Sequence, residues 1–243
     1  MAEQCKCRSC QDRLCMHKVP ILSSLDQEEL FKISEILSHR DYKKGETLIF
    51  DGDKLESLVI INEGNVKAYK YSTDGREQIL YIFTEGDFFG EQNLLSDRTA
   101  TYTVEALQPV KTCMLSKTQF QLLIHKHPDI AVKIIKELGE RMVRLENALQ
   151  SMGVRNVDNR IGGILLEYAV KFGTETPEGI VIHLPLSREG IANYLGIARE
   201  TLSRKLGQLE SEGMISSLNN KSILITDYDG LVSLAGNPED IRI

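Results

Sequence analysis

The sequence predicts an α+β chain with a small β-roll in its front half, one long helix in the middle and a helix-turn-helix with a β-hairpin at its back. Three observations carry this. From Gly45 to about Phe120, short apolar runs are punctuated by Gly45, Gly52, Gly64, Gly75 and Gly86, a spacing that suits a small barrel or roll. After His127 the apolar period becomes helical. Residues Leu186 to Ile215 then read as two short amphipathic helices joined at a glycine. With 243 residues and 42% hydrophobic content, the chain has enough apolar material for two domains with cores of their own.

Within the roll, "SLVIINEGNVKAYKYSTDGREQILYIF" sets Asp74-Gly75 between two β-rich stretches, and an Asp-Gly pair supplies the positive φ angles of a tight hairpin. Ile79, Tyr81 and Phe83 alternate with Leu80 and Ile82, as in a strand buried on both faces. Pro128 suits the first turn of the long helix, and Asp129 complements the positive end of its dipole. Ile135, Leu138, Met142, Leu145, Leu149 and Met152 follow in alternating steps of three and four, a heptad seam. Such a stripe also serves to lay a helix on the roll, but its narrow spacing suits a partner helix better and predicts a homodimer. Gly153 and the polar run "VRNVDNR" mark a hinge, "IGGILLEYAVKFG" reads as an amphipathic helix, and "TETPEGIVIHLPL" as a loop and a strand.

The segment "LSREGIANYLGIARETLSRKLGQLESEGMI" is the most specific signal. Ser187 is an N-cap for a helix carrying Ile191 and Leu195, Ala192 is small enough for a second helix to cross closely, and Gly196 lets the backbone turn with φ above zero. A second helix starting near Ala198 buries Leu202, Leu206 and Leu209 and ends at Gly213. Its other face presents Arg199, Glu200, Ser203, Arg204 and Lys205, where a recognition helix meets base edges in the major groove of double-stranded DNA. Arg grips guanine bidentately, Glu accepts from cytosine and Ser donates or accepts. The same charges would also suit a solvated face, since four basic residues from Ser187 to Met214 are matched by four acidic ones. The hairpin "SSLNNKSILITD", turning at Asn219-Asn220, favours a winged helix-turn-helix that binds DNA.

A net charge of −6 argues against non-specific coating of nucleic acid, which needs excess Lys and Arg, while leaving room for a local reading surface. The sequence has no apolar run of about eighteen residues and no apolar core near its N-terminus, so neither a membrane span nor a secretory signal is expected and a cytoplasmic protein is. No nucleophile stands at a recognisable spacing from a base, and no complete Walker or dinucleotide loop occurs, so the chain is not expected to be an enzyme. Of five cysteines, Cys5, Cys7, Cys10 and Cys15 crowd the N-terminus and Cys113 stands in the roll. Clustered thiols in a reducing compartment bind metal or sense redox state more often than they form structural disulfides.

Over nearly its whole length the sequence resembles the CRP/FNR family of bacterial transcription regulators, and "IANYLGIARETLSRKLGQL" is close to that family's DNA-binding signature. The resemblance implies a cyclic-nucleotide-binding-type β-roll over residues 20–127 behind a cysteine-rich segment at 1–19. It further implies a dimerisation helix at 128–154 and a winged helix-turn-helix over 155–243. By that likeness Glu200, Ser203 and Arg204 read bases of a palindromic operator, Arg199 reaches a base or phosphate, and the dimer acts on RNA polymerase. The cysteines resemble the FNR-like branch, in which three N-terminal cysteines and one in the roll hold an oxygen-labile [4Fe–4S] cluster; here these are Cys7, Cys10, Cys15 and Cys113, with Cys5 the spare. The gap from Cys10 to Cys15 is one residue shorter than in the best-known pattern. Four thiolates are the usual ligand set of such a cluster. The same thiolates suit zinc, with His17, His125 or His127 as further ligands, or a redox disulfide. Finally, "FFGEQNLLSDRTA" resembles the phosphate-binding cassette of cAMP-binding members, with Glu91 for the ribose and Arg98 for the phosphate, but with a shorter stretch between them. The expected function is an oxygen- or redox-responsive DNA-binding regulator, with a cyclic-nucleotide-responsive regulator or a thiol- or zinc-dependent redox regulator as the alternatives.

Overall fold

A computed structural model describes residues 19–22, 25–96, 98–154 and 156–236 of the chain. It divides into two units, Met1–Glu137 and Leu138–Ile243.

In the first unit a 3-10 turn at Pro20–Leu22 leads into helix α1, Gln27–Ile36. Its start is fixed locally: Asp26 Oδ1 accepts from the Glu29 amide at 2.8 Å, and the Glu29 carboxylate accepts from the Asp26 amide at 3.1 Å. This reciprocal cap satisfies two donors that a helix start leaves open. The roll follows as β1 (Ser38–Tyr42), β2 (Thr47–Ile49), β3 (Ser57–Glu63), β4 (Val66–Tyr71), β5 (Glu77–Phe83), β6 (Phe88–Phe89), β7 (Thr103–Ala106) and β8 (Val110–Ser116), interrupted by the short helix α2, Glu91–Ser96. The strands form two antiparallel sheets ordered β1-β8-β3-β6 and β2-β7-β4-β5. Alternate residues such as Val59, Ile61, Val66, Ala68 and Val104 face inward and build the core. The expected hairpin joins β4 to β5, with Gly75 at φ 79° and the Ser72 amide donating to Arg76 O at 2.9 Å. Within β5, Ile79 and Phe83 are buried, while Leu80, Tyr81 and Ile82 are half-buried.

Helix α3, Lys117–Lys126, packs against β3 and β8. It is tied to α1 by Gln119 Nε2 donating to Ile36 O at 3.1 Å and by His127 Nδ1 lying 3.5 Å from Glu29 Oε1. The long helix α4, Pro128–Val154, opens at the proline expected to start it and runs on through Gly153, where the sequence places a hinge. The boundary between the units nevertheless falls inside it, because Ile130 and Ile134 in its first turns are buried as part of the first unit's core.

The second unit continues with α5 (Val157–Phe172), β9 (Gly173–Thr176), β10 (Gly179–His183), α6 (Arg188–Leu195), α7 (Arg199–Ser211), β11 (Ile215–Asn219), β12 (Ser222–Ile225) and α8 (Tyr228–Ala235). Its sheet is ordered β11-β12-β10-β9. The segment before α6, read as a loop and a single strand, is therefore a hairpin; Gly179 sits against the Ile225 carbonyl with φ 136°, where a side chain has no room. Gly162 of α5 likewise lets α8 approach, with Ala235 N only 3.3 Å from where a Cβ would stand. Among the described residues, no helix is long and apolar enough to cross a membrane.

Candidate DNA-reading and effector sites

The helix-turn-helix is built by local signals. Ser187 Oγ accepts from the Gly190 amide at 3.1 Å and starts α6, and Gly196, at φ 65° and ψ 37°, ends it in the left-handed conformation open to glycine. The turn closes with Ile197 N donating to Ala192 O at 3.0 Å, and α7 then buries Leu202, Leu206 and Leu209 against the domain core. That burial dictates the opposite face. Arg199, Glu200 and Arg204 are exposed and Ser203 is half-buried, so the predicted readers stand together on and beside the outward side of one helix. Lys205 departs from the expectation: its ammonium turns back to α5, with Nζ 2.7 Å from the Asp158 carboxylate. The helix ends at Ser211, and Gly213, at φ 75°, lies one residue beyond the Glu212 cap.

The wing is β11 and β12, turning at Asn220-Lys221, one residue later than the Asn219-Asn220 pair expected; Asn219 pairs with Ser222 in the ladder, and its Oδ1 accepts from the Lys221 amide at 2.8 Å. It is pinned to α7 by Glu210, whose Oε1 accepts from the Ser217 amide at 2.7 Å, while Arg188 Nη2 donates to Ser217 Oγ at 3.3 Å. The hydrogen bonds from Ser217 hold the Glu210 carboxyl below its ordinary pKa, because they favour the charged form. Together α7 and the wing can present a helix to the major groove and a hairpin to the backbone beside it.

On α4 most of the described residues of the predicted seam are exposed. Ile135 and Met142 are 67% and 58% exposed, Leu145 is exposed and Leu138 is half-buried, whereas Ile130 and Ile134 form a different, buried stripe. The side chains of Leu149 and Met152 lie outside the described residues.

Cys113 lies in β8 and is only 3% exposed. Its neighbours in the strand, Thr112 and Met114, point the other way, and Met114 packs on the roll's interior. Cys113 therefore faces away from the roll's interior, yet it is buried. Directly opposite it in the β1–β8 ladder is His39, whose Nδ1 is 3.4 Å from Cys113 Sγ. A soft sulfur donor held beside a nitrogen able to steady a thiolate fits an iron or zinc ligand. Cys5, Cys7, Cys10, Cys15 and His17 fall outside the described residues. His127 is engaged with Glu29, and His125 sits in the last turn of α3. Among the described residues, no cluster of three or more metal-ligating side chains occurs.

The cassette residues are held apart in character. Glu91 opens α2 fully buried, while Arg98 is exposed and its carbonyl accepts from Asn93 Nδ2 at 2.8 Å. Gly90, immediately before α2, has φ 95°, and a Cβ there would stand 2.6 Å from Leu55 Cδ2 and 2.7 Å from Ser57 O. Against the largely aliphatic core of the roll runs a chain of aromatic rings: Phe83 stacks on Phe89 at 5.4 Å and on Tyr81 at 5.7 Å, and Tyr81 meets Tyr102 edge-on at 5.9 Å.

Comparison with known proteins agrees with this architecture. A cyclic nucleotide-binding domain model matches residues 39–127, and a Crp-like helix-turn-helix domain model matches residues 159–234. The chain is 25% identical over 239 residues to the transcriptional activator protein FnrL of Cereibacter sphaeroides, covering 97% of this chain and 94% of FnrL. It is 27% identical over 215 residues to the CRP-like cAMP-activated global transcriptional regulator of Mycobacterium tuberculosis, covering 88% of this chain and 96% of that protein. The solved structure of a CooA variant from Carboxydothermus hydrogenoformans superposes with a TM-score of 0.76 at 22% identity, over 90% of this chain and 96% of CooA. FnrL and the mycobacterial protein are transcription regulators, not enzymes.

Proposed function

Because this chain belongs to the CRP/FNR family of transcription regulators, we propose that it is an FNR-like member: a homodimeric, sequence-specific DNA-binding regulator that responds to oxygen or redox state. The observation that carries the reading is the placement of Cys113, buried on β8 beside His39 and facing away from the roll's interior. The N-terminal segment that bears the other cysteines leads into α1, and in this reading its thiolates join the buried sulfur of Cys113. Cys7, Cys10, Cys15 and Cys113 would hold a [4Fe–4S] cluster, with Cys5 the spare. When bound, that group supplies an oxygen-labile link between the N-terminal segment and β8.

The remaining steps belong to the chain's own residues. The exposed stripe of α4 joins a second copy, burying Ile135, Met142 and Leu145. Dimerisation sets two copies of α7 at the spacing of a palindromic operator, where Arg199, Glu200, Ser203 and Arg204 meet bases and phosphates. Without that group, Cys7, Cys10 and Cys15 would no longer be tied to Cys113, and the dimer population would shift toward a geometry that binds DNA poorly. The DNA-bound dimer acts in the cytoplasm on RNA polymerase.

A cyclic-nucleotide effector is the second reading, favoured by the retained Glu91 and Arg98 beside the tight turn at Gly90. The shorter stretch between Glu91 and Arg98 weighs against it. Iron and acid-labile sulfide in near-equimolar amounts after anaerobic purification support the cluster. Thermal stabilisation by cAMP without iron would transfer the assignment to the nucleotide, and stoichiometric zinc without sulfide to a zinc-dependent redox switch.

A further inference from the structure

Lys205 lies in the middle of the reading helix, beside Arg204, where a cation is ordinarily assigned to a DNA phosphate. Its environment points elsewhere. Nζ is 2.7 Å from both carboxylate oxygens of Asp158 and 3.4 Å from Gln208 Oε1, and the lysine and aspartate side chains are only 19% and 22% exposed. Asp158 stands in the first turn of α5, and two residues on, Arg160 Nη1 donates to Leu195 O at 2.8 Å. Leu195 is the last residue of α6, so this bond grips the backbone just before it reverses at Gly196. One turn of α5 thus holds both halves of the helix-turn-helix.

We propose that Asp158 and Arg160 are positioning residues that set the pose of α7 on DNA, and that Lys205 is the anchor of this clamp on the reading helix and not a phosphate contact. The inference rests on α7 being the base-reading helix.

Electrostatics gives the two roles opposite signs. A carboxylate beside a DNA-reading helix repels phosphate, so removing it strengthens binding if Asp158 does nothing else. A phosphate-contacting lysine releases counterions, so its loss lowers the slope of log affinity against log salt by about 0.9. A positioning lysine weakens binding with the slope unchanged.

The test uses the full-length anaerobic protein and the duplex that the wild type enriches from a random pool, with Asp158→Asn, Lys205→Met, the double variant and the exchanged pair Asp158→Lys/Lys205→Asp. We expect Asp158→Asn to weaken binding by about tenfold, Lys205→Met to do the same with the wild-type salt slope, and the double variant to be no weaker than either single one. The exchanged pair should recover most of the affinity, which also answers an objection that the single variants only misfold. Tighter binding by Asp158→Asn, or a salt slope reduced by about 0.9 in Lys205→Met, overturns the clamp. An Arg204→Ala control separates the two levels: if it keeps wild-type affinity and sequence preference, α7 is not the reading helix and the inference falls with it. If Arg204→Ala loses affinity while the exchanged pair stays unrecovered, the clamp alone is wrong.

Discussion

His39 Nδ1 stands 3.4 Å from Cys113 Sγ, across directly paired residues of β1 and β8. The contact places a ring nitrogen beside the sulfur, its donor or acceptor role set by the histidine tautomer. A Cys113→Ser variant separates a ligand cysteine from a packing one. As a ligand, Cys113 takes with it most of the anaerobic protein's iron, sulfide and visible absorption, because a hydroxyl is a poor donor to a soft metal site. As packing alone, it costs modest stability and leaves the iron in place. The same loss is expected for Cys7, Cys10 or Cys15, and wild-type iron for Cys5→Ser.

On α7, Arg204→Ala and Glu200→Ala each remove a base contact that the proposed DNA complex makes. Each should cost about 1–3 kcal/mol and relax specificity at one base pair of each half-site. Both side chains are exposed, so the thermal midpoint should hold. Binding-site selection reads the specificity, and an unchanged preference in both variants contradicts the assignment.

The exposed stripe of α4 predicts that Met142→Glu with Leu145→Glu breaks the dimer, since unpaired charges between helices cost on the order of several kcal/mol. Operator affinity should collapse together with the dimer, because two half-sites are no longer engaged as one event. Sedimentation shows whether the dimer persists.

Two glycines with similar φ angles should respond differently to alanine. Gly75, at φ 79° with nothing within 4 Å of a Cβ, should lose only the cost of the backbone conformation, about 1–2 kcal/mol. Gly90, at φ 95° and closed in by Leu55 and the Ser57 carbonyl, adds steric overlap to that strain and should lose more. Denaturant unfolding of the two variants gives the order.

The parts of the fold that were legible in the sequence are those written in neighbouring residues. Gly196 with its flanking apolar positions spelled the helix-turn-helix, Asp74-Gly75 spelled its hairpin, and the shift of period at Pro128 located α4. Helix α1 is spelled just as locally, by Asp26 and Glu29 at capping-box spacing. What the sequence conceals is non-local. Lys205 looks like another outward cation until Asp158, distant in the chain, arrives beside it. His39 likewise gives no sign that strand pairing will set it opposite Cys113. Burial of Leu202 and Leu206 fixed which way the face of α7 turned, but not where a long, flexible lysine on its border would bond.

The central claim is that oxygen controls DNA binding through thiolates on the N-terminal segment and on β8. The most direct measurement is operator affinity of the anaerobically purified protein before and after exposure to air, with iron and acid-labile sulfide quantified in the same samples. Tight binding with iron and sulfide present, followed by parallel loss of affinity and sulfide in air, is the predicted result. Equal affinity in both states, or anaerobic protein without iron, would contradict it.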